Sequence, residues 1–306
     1  MKIVFMDGGL GNQVFQYIFY RFLQEHCQEP VYIDDRFFHY SNALNGYELH
    51  NVFGLKPNLL SEYFSADVWD EIMDVSQNQM HFVELLNRNG FEIPVISEGN
   101  FITFHHSAYI GHPDIKTQAY TGSYLPVAAN GYHPQIAEVP GSIYYHGYWI
   151  NGHYFAKIRD KILQELTFPA FENDHNKEYV AKIQGSLSVG IHVRRGDFVD
   201  YGYVLDADFY RMSVTAMKEV LKKPTFFLFS DDLPWCKENL DKLGLNKSDK
   251  TVFVEGNTSK NSFRDMQLMT LFKYFISANS SFSYLASLLN KNPDKVIADP
   301  TTRAII

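Results

Sequence analysis

Two adjacent arginines and a nearby acid are the strongest chemical signal in the sequence. They lie in residues 191–197, IHVRRGD, where an apolar segment predicts a buried strand that ends at the arginines. Successive side chains at a strand end diverge, so we expect one guanidinium group, that of Arg194, to point at a ligand. A guanidinium group keeps its charge and binds phosphate oxygens in bidentate fashion. The segment predicts a phosphate site, in which Asp197 either accepts a proton or orients an arginine; a surface ion-pair cluster is the alternative.

A pair of acids ends a second apolar segment. Residues 229–232 read FSDD, and Pro234 and Trp235 open a predicted helix just after them. An acid in this position commonly caps the helix, and we expect that role for Asp231 or Asp232. The two acids are adjacent and lack the Asp-x-Asp spacing that holds the cation of a nucleotide sugar. The sequence therefore predicts no metal site here.

A third polar segment connects a predicted strand to a predicted helix. Residues 276–283 read ISANSSFS, with Asn279, Ser280 and Ser281 at the junction. Serine hydroxyls and free backbone N–H groups at a helix N-terminus bind anions. Capping alone would use one serine. The three consecutive polar residues therefore favour a second group of phosphate contacts.

A glycine loop near the N-terminus has two interpretations. Residues 7–13, DGGLGNQ, follow a predicted strand, and an acid at Asp34 or Asp35 lies at the distance expected for a ribose contact in a dinucleotide-binding fold. The third glycine of that fingerprint is absent, so nicotinamide or flavin binding is the weaker interpretation. The amides of Asn12 and Gln13 favour hydrogen bonds to a hydroxylated ligand. Asn12 as a simple helix cap is the other alternative.

The predicted elements would bring these segments to the ends of strands. A strand at 3–6, a helix along 14–23 and a strand at 31–33 form a βαβ unit, and strands alternate with helices from 188 to 298. This alternation predicts parallel, doubly wound sheets, in which ligands bind beyond the carboxyl ends of the strands. Residues 40–140 show weak periodicity, and we expect irregular helices and loops there.

Composition excludes several classes of protein. The chain has 306 residues, 45% of them hydrophobic, and a net charge of −8, which excludes global disorder and argues against a general nucleic-acid coat. The first apolar run is too short for a signal peptide, and no stretch approaches the roughly 20 apolar residues of a membrane span. Two cysteines argue against a disulfide framework, and the histidines lack metal-ligand spacing. We expect a cytoplasmic protein without a transmembrane segment; peripheral membrane contact and oligomeric state stay open.

These motifs together resemble the α-1,2-fucosyltransferase family, glycosyltransferase family 11. The resemblance covers most of the chain and depends on several motifs in the same order. They are residues 8–13 with 15–17, 147–149, 192–197, 229–232 with Trp235 and 237–239, 265–269 and 278–283. The family usually has a Trp-Trp pair and small residues where this chain has residues 284–286, YLA.

The resemblance implies a fold, a reaction and partners. The fold would be α/β and GT-B-like, with two facing Rossmann-like doubly wound domains and a cleft between them. Residues 1–165 would form the acceptor-side domain and 166–306 the GDP-fucose-binding domain, whose last helix could pack back on the first. The reaction would move L-fucose, with inversion, from GDP-fucose to the 2-hydroxyl of a terminal galactose on a glycan, without cofactor or metal. A nucleotide-sugar-binding protein without transfer activity is the alternative.

The resemblance also implies roles for individual residues. Arg194 would contact the donor diphosphate. From the alignment that an inverting displacement requires, we expect Asp197 to act as base, or alternatively to lock Arg195 in place, and Asn12 to position the acceptor hydroxyl. The expected donor contacts are Gly11, Gln13, His192, Arg195, Asp231, Asp265, Asn279, Ser280 and Ser281, with His192 and Asp265 near the guanosine.

Overall fold

The structure is a computed structural model that describes residues 1–40, 45–73, 93–98, 124–301 and 304–305. It divides into two compact units, Met1–Thr167 and Phe168–Ile306. This division lies two residues beyond the domain boundary that we placed between 165 and 166.

The first unit contains a parallel sheet. Its described strands follow the order β2-β1-β5-β3-β4 and pair in parallel throughout. They are β1 Lys2–Phe5, β2 Val31–Asp34, β3 Val95–Glu98, β4 Tyr124–Val127 and β5 Ile143–His146. The pairing places β1 beside β5 at the centre of the sheet.

Helices of the first unit connect these strands. The predicted helix of the βαβ unit is confirmed, and its apolar face, including Val14, Phe15 and Phe19, is buried. The described helices are α1 Leu10–His26, α2 Phe37–Tyr40, α3 Leu49–Phe53, α4 Ala66–Met73, α5 Gly152–Lys157 and α6 Arg159–Glu165. In the part of the chain that the structure describes, every helix is too short or too polar to cross a bilayer.

The prediction for residues 40–140 is partly wrong. This region contributes two strands of the sheet, β3 and β4, and not only helices and loops. Both strands have four residues, which is too short for a periodic pattern to emerge, and β3 ends in a buried acid, Glu98. Residues 41–44, 74–92 and 99–123 of this region lie outside the described part of the chain.

The second unit contains the doubly wound sheet that the sequence predicts. Its order is β11-β10-β9-β6-β7-β8, parallel except for the β10–β11 pair. The strands are β6 Ser188–Val193, β7 Thr225–Ser230, β8 Lys250–Phe253, β9 Tyr274–Ile276, β10 Val296–Asp299 and β11 Ala304–Ile305. A glycine in the central strand has a steric reason, because a Cβ at Gly190 would lie 2.8 Å from the Phe275 ring.

Helices pack on this sheet around a buried apolar core that includes Val189, Val214 and Leu228. The described helices are α7 Asp174–Gln184, α8 Gly196–Tyr201, α9 Ala207–Val220, α10 Leu233–Glu238, α11 Phe263–Met269 and α12 Ser281–Leu289. Neither α7 nor α8 was expected from the sequence. The helix predicted to open at Pro234 and Trp235 is present as α10, and it ends at Glu238.

Strand order in the second unit defines where its loops open. From β6 the chain proceeds to β7 and β8 on one side, whereas β9 and β10 lie on the other. The loops after β6 and β9 therefore diverge at a topological switch point, the usual ligand position in such a sheet. Residues 194–197 follow β6, and 277–281 follow β9. The two strongest sequence motifs thus lie where a sheet of this kind usually binds its ligand.

Candidate functional site

Arg194 lies just after β6 and is held by two carboxylates. Its Nη2 lies 2.5 Å from Asp197 Oδ1, and its Nη1 lies 2.9 Å from Asp231 Oδ2. The guanidinium carbon lies 5.2 Å from the centre of the Phe198 ring. The side chain remains 30% exposed. The loop after β6 therefore presents one oriented and accessible guanidinium group.

Arg195 turns toward α10 and away from that position. Its Nε lies 3.0 Å from Asp232 Oδ2, and its guanidinium group stacks 3.8 Å from the centre of the Trp235 ring. The two arginines thus diverge, as side-chain alternation at a strand end predicts. The side chain of Arg195 is engaged with α10, and the donor contact expected of it stays a prediction. The sequence predicted a helix after Asp232 but not that Trp235 would stack on Arg195.

The two acids after β7 have separate tasks. Asp232 caps α10 by accepting a hydrogen bond from Trp235 N at 3.2 Å, the role that we expected for one of the pair. Asp231 accepts the backbone N–H of Arg195 at 2.8 Å in addition to its ion pair with Arg194. Asp231 is therefore a support for the arginine loop. It also explains Gly196, where a Cβ would lie 2.5 Å from Asp231 Oδ2.

Asp197 is an exposed partner of Arg194. Its side chain is 52% exposed, and its carboxylate binds Arg194 and not Arg195. This corrects the alternative in which Asp197 was to lock Arg195. The carboxylate is accessible enough to meet a hydroxyl and close enough to orient the guanidinium group, so both chemical roles for Asp197 stay predictions.

The loop after β9 is tied by its own side chains. Asn279 Nδ2 donates to the carbonyl oxygen of Tyr203 at 2.7 Å, and Ser280 Oγ caps α12 by accepting from Phe282 N at 3.3 Å. Ser281 is the first residue of α12. The structure thus gives Ser280 a capping role and Asn279 a loop-fixing role. Phosphate contacts by Asn279, Ser280 and Ser281 stay predictions.

The two residues expected near guanosine lie in different surroundings. His192 is buried at the end of β6 with its Nδ1 unbonded, and burial, with the charge of Arg194, lowers the pKa of this imidazole to about 3. Asp265 lies on α11 and accepts from Asn257 Nδ2 at 2.8 Å, and burial raises its pKa to about 7. Asn257 in turn bonds Asn176 at 3.0 Å. His192 is therefore neutral at physiological pH. Asp265 belongs to a separate set of hydrogen-bonded side chains, with Asn257 and Asn176.

The glycine loop of the first unit corrects the prediction for Gln13. This side chain is buried, and its Nε2 donates to the carbonyl oxygens of Gly8 and Gly46 at 2.9 and 2.8 Å. Its Oε1 accepts from Glu48 N at 2.8 Å. The amide therefore joins two loops of its own unit and is not left for a ligand. Sequence reasoning missed this role of Gln13 because the segment that it binds lies more than thirty residues farther along the chain.

Asn12 is not the helix cap. Gly9 occupies that position and provides no side-chain cap, so that alternative is wrong. Gly8 has a φ of 75°, and a Cβ there would lie 2.7 Å from Asn12 Nδ2. Gly11 is buried within α1. The donor contact expected of Gly11 and the acceptor contact expected of Asn12 stay predictions.

A buried ion pair weakens the dinucleotide alternative. Arg36 Nε and Nη2 donate to the two oxygens of Asp34 at 2.8 and 2.9 Å, and Tyr144 Oη donates to Asp34 at 2.7 Å. The Asp34 side chain has no exposed surface. Its oxygens are therefore not accessible to a ribose, and Asp35 faces His39 at 3.6 Å.

Glu98 is a buried acid that the sequence analysis did not select. At the end of β3 its carboxylate accepts the backbone N–H groups of Asn130, Tyr148 and Trp149 at 2.9, 2.8 and 2.7 Å. Trp149 has a positive φ of 56°, a strained conformation for a bulky residue. Glu98 therefore fixes the loop after β5. A lone acid before a loop gave no signal of this role.

Comparison with known families gives one match. Residues 128–304 match the family described as Glycosyl transferase family 11.

Among the described residues, no group of three or more histidine, cysteine or acidic side chains could hold a metal ion.

Comparison with individual proteins gives relatives of several origins. An alpha-1,2-colitosyltransferase of Escherichia coli is 38% identical over 160 residues, which cover 50% of this chain and 53% of the relative. The human galactoside alpha-(1,2)-fucosyltransferase 1 is 27% identical over 153 residues, covering 44% of this chain and 40% of the relative. The chain thus spans about half the length of the curated relatives that it matches.

A solved structure resembles the whole chain. The fucosyltransferase NodZ from Bradyrhizobium superposes with a TM-score of 0.52 at 14% identity, covering 100% of this chain and 97% of NodZ. At this identity the likeness concerns the fold. The fold is α/β and GT-B-like, as the sequence predicts, with a parallel-sheet domain in each unit.

Proposed function

The chain belongs to glycosyl transferase family 11, and from this premise we propose that it transfers L-fucose from GDP-fucose to the 2-hydroxyl of a terminal galactose. The observation that supports this most is the position of Arg194. An accessible guanidinium group, oriented by two carboxylates, lies at the switch point of a doubly wound sheet. A nucleotide diphosphate is the leaving group that such a position suits.

The proposed chemistry is a single displacement at the anomeric carbon. As the bond to GDP breaks, negative charge grows on the diphosphate, and Arg194 stabilises it together with the N-terminus of α12. The transition state resembles an oxocarbenium ion, so alignment of the acceptor hydroxyl contributes much of the rate. Asp197 accepts the proton of that hydroxyl in this proposal.

A second donor is favoured by one of the relatives. The Escherichia coli protein is named a colitosyltransferase, and colitose is fucose without the hydroxyl at carbon 3. A site that hydrogen-bonds this hydroxyl would discriminate strongly against the deoxy sugar, whereas an apolar wall would accept both. Donor choice is therefore the first property to measure.

The test uses the purified chain with GDP-fucose or GDP-colitose and a panel of β-galactosides. Release of GDP is measured with and without acceptor, and the linkage of any product is determined by NMR. Acceptor-dependent GDP release with a product linked at the 2-hydroxyl supports the proposal. GDP binding without acceptor-dependent release would instead support a nucleotide-sugar-binding protein without transfer activity.

Activity is expected to persist without divalent cations. Arg194 and the N-terminus of α12 would provide the local positive charge that a cation would otherwise supply, and Asp231 and Asp232 are engaged with arginines. Transfer should continue in excess EDTA with metal-free donor. Loss of activity in EDTA, restored by manganese or magnesium, would contradict this expectation and make these two acids candidate ligands.

Replacement of Asp197 by asparagine separates its two roles. An amide still accepts a hydrogen bond from Arg194 but accepts no proton, so a base would lose turnover while GDP affinity is kept. Calorimetric titration of GDP and steady-state kinetics of Asp197→Asn measure both. The matched control is Asp200→Asn, which removes an exposed carboxylate from the same helix. Parallel losses of affinity and kcat/KM would make Asp197 an arginine support and not the base.

A further inference from the structure

Large aromatic side chains are exposed beside the candidate site. Tyr201 and Tyr203 are 62% and 63% exposed, and Val199 between Asp197 and Tyr201 is 49% exposed. Isolated exposed apolar residues need no explanation, but a contiguous exposed patch marks a binding surface. We name Phe198, Tyr201 and Tyr203 the aromatic surface.

The end of α8 brings these rings together. The helix ends at Tyr201, and Gly202 adopts the left-handed conformation with a φ of 68°. The N–H of Tyr203 then donates to Phe198 O at 2.9 Å, and that of Gly202 donates to Val199 O at 3.3 Å. This is a glycine-dependent helix ending in which the residue after the glycine folds back onto the helix. The backbone therefore defines the position of Tyr203.

The aromatic surface is continuous with Arg194. The Phe198 ring lies 5.2 Å from the Arg194 guanidinium carbon and 6.0 Å, edge-on, from the Tyr203 ring. The Tyr203 and Tyr201 rings lie 6.1 Å apart. The contacts form one path from the cation to the two exposed tyrosines.

A second tie fixes the surface to the loop after β9. The Asn279 side chain donates to Tyr203 O at 2.7 Å, so the two loops of the switch point hold Tyr203 between them. These hydrogen bonds fix the backbone of Tyr203, and fixing the backbone of a contact residue in advance lowers the entropy lost when a ligand binds it. The arrangement is therefore typical of a prepared contact surface.

Helix register links the surface to the proposed base. Asp197 and Tyr201 are four residues apart on α8, so they lie on the same face of the helix, one turn apart. A pyranose ring has an apolar face of C–H groups that packs on an aromatic ring, and hydroxyls at its edge that donate to carboxylates. Asp197 beside an exposed tyrosine presents both kinds of partner.

We propose that the aromatic surface binds the acceptor sugar, with Tyr201 and Tyr203 packing against the pyranose ring whose hydroxyl meets Asp197. This inference rests on the proposed function, because it takes the saccharide acceptor from it. It places part of the acceptor site in the second unit, for which the resemblance implies the donor site. The acceptor is favoured over the nucleotide because the exposed side chains of Asp197 and Tyr201 share one face of α8, whereas the diphosphate is assigned to Arg194 itself. Tyr201 and Tyr203 are thus specificity-determining residues.

The experiment measures acceptor and donor separately in four variants. Tyr201→Ala and Tyr203→Ala should each raise the KM for a β-galactoside about tenfold, the change expected for loss of one aromatic contact. The KM for GDP-fucose and the Kd for GDP should stay within about twofold of wild type, as expected for sites that do not couple. Tyr203→Phe should retain wild-type acceptor KM, because packing uses the ring face and not the hydroxyl. Met212→Ala, which removes a residue that is 73% exposed on α9, is the matched surface control.

Direct binding keeps this test independent of turnover. Saturation-transfer NMR of lactose in the presence of GDP reports contact with the protein even if no fucose is transferred. Loss of the lactose signal in both alanine variants supports the surface, whether or not the wild type transfers fucose. Three results would overturn it: an unchanged acceptor KM and lactose signal, an equal weakening of GDP binding, or a changed oligomeric state with unchanged acceptor binding. Absence of any lactose signal in the wild type would also overturn the inference. If the wild type transfers fucose and the alanine variants keep its acceptor KM and lactose signal, the aromatic surface is wrong but the proposed function stands.

Discussion

Replacing Arg194 by alanine is expected to lower kcat/KM by about 10²–10³-fold, or roughly 3–4 kcal/mol of transition-state stabilisation, the range found for removing one charge-stabilising donor. The reason is that Arg194 is the accessible guanidinium group at the switch point, since Arg195 is stacked on Trp235. The measurement is steady-state transfer with saturating acceptor and varied GDP-fucose.

A lysine in the same position should recover little activity. An ammonium group is a point charge and cannot reproduce the fork by which Arg194 binds two partners at once. Arg211→Ala is the matched control, because Arg211 is an exposed arginine of α9 that pairs with Asp208. Near-wild-type kcat/KM in Arg194→Lys would show that the site requires charge without bidentate geometry, and the assignment of Arg194 would be wrong.

Replacing Arg36 by methionine is expected to lower the free energy of unfolding of the first unit by about 3–5 kcal/mol. Arg36 and Asp34 form a bidentate pair whose side chains are 8% and 0% exposed. Removing the arginine side chain leaves a buried carboxylate with hydrogen bonds from the Tyr144 hydroxyl and the backbone N–H of residue 36, neither of which carries a charge, and an uncompensated buried charge is costly. Urea unfolding followed by tryptophan fluorescence, to which the fully buried Trp149 of this unit contributes, measures the change.

The matched control for this pair is Tyr144→Phe. It removes the hydroxyl that donates to Asp34 at 2.7 Å but keeps the ring and the ion pair, so its effect should be about 1–2 kcal/mol. A loss in Arg36→Met no larger than in Tyr144→Phe would contradict the view that the buried ion pair is the dominant electrostatic support of β2.

The second unit was predictable because its strands are continuous apolar segments. Each of β6, β7 and β9 is buried on both faces, so the sequence shows an apolar run followed by polar residues, and those polar residues lie at the ligand position. The alternation of these strands with helices then indicates that the strands pair in parallel. Arg194 was identifiable for the same reason, since it ends the central strand.

The rest depended on contacts between distant residues. By residue type Gln13 suggests a ligand contact, but its amide hydrogen-bonds the backbone of Gly46 and Glu48. Nothing near Gln13 in the sequence indicates these partners. The partner of Asp197 also depends on geometry, because Arg195 is the nearer arginine in sequence, yet the carboxylate pairs with Arg194. Similarly, β3 is a four-residue strand whose acid Glu98 is buried by loop N–H groups that lie farther along the chain.

The pairing around Arg194 and Arg195 acts as a filter among anions. Three carboxylates, those of Asp197, Asp231 and Asp232, face the two guanidinium groups, so this cluster carries a net charge of −1. An incoming anion therefore approaches the accessible part of Arg194 against the repulsion of these carboxylates. Inorganic phosphate brings little else to offset that repulsion, whereas a larger ligand brings contacts from its other groups as well. We therefore expect the same acids that orient Arg194 to disfavour small anions.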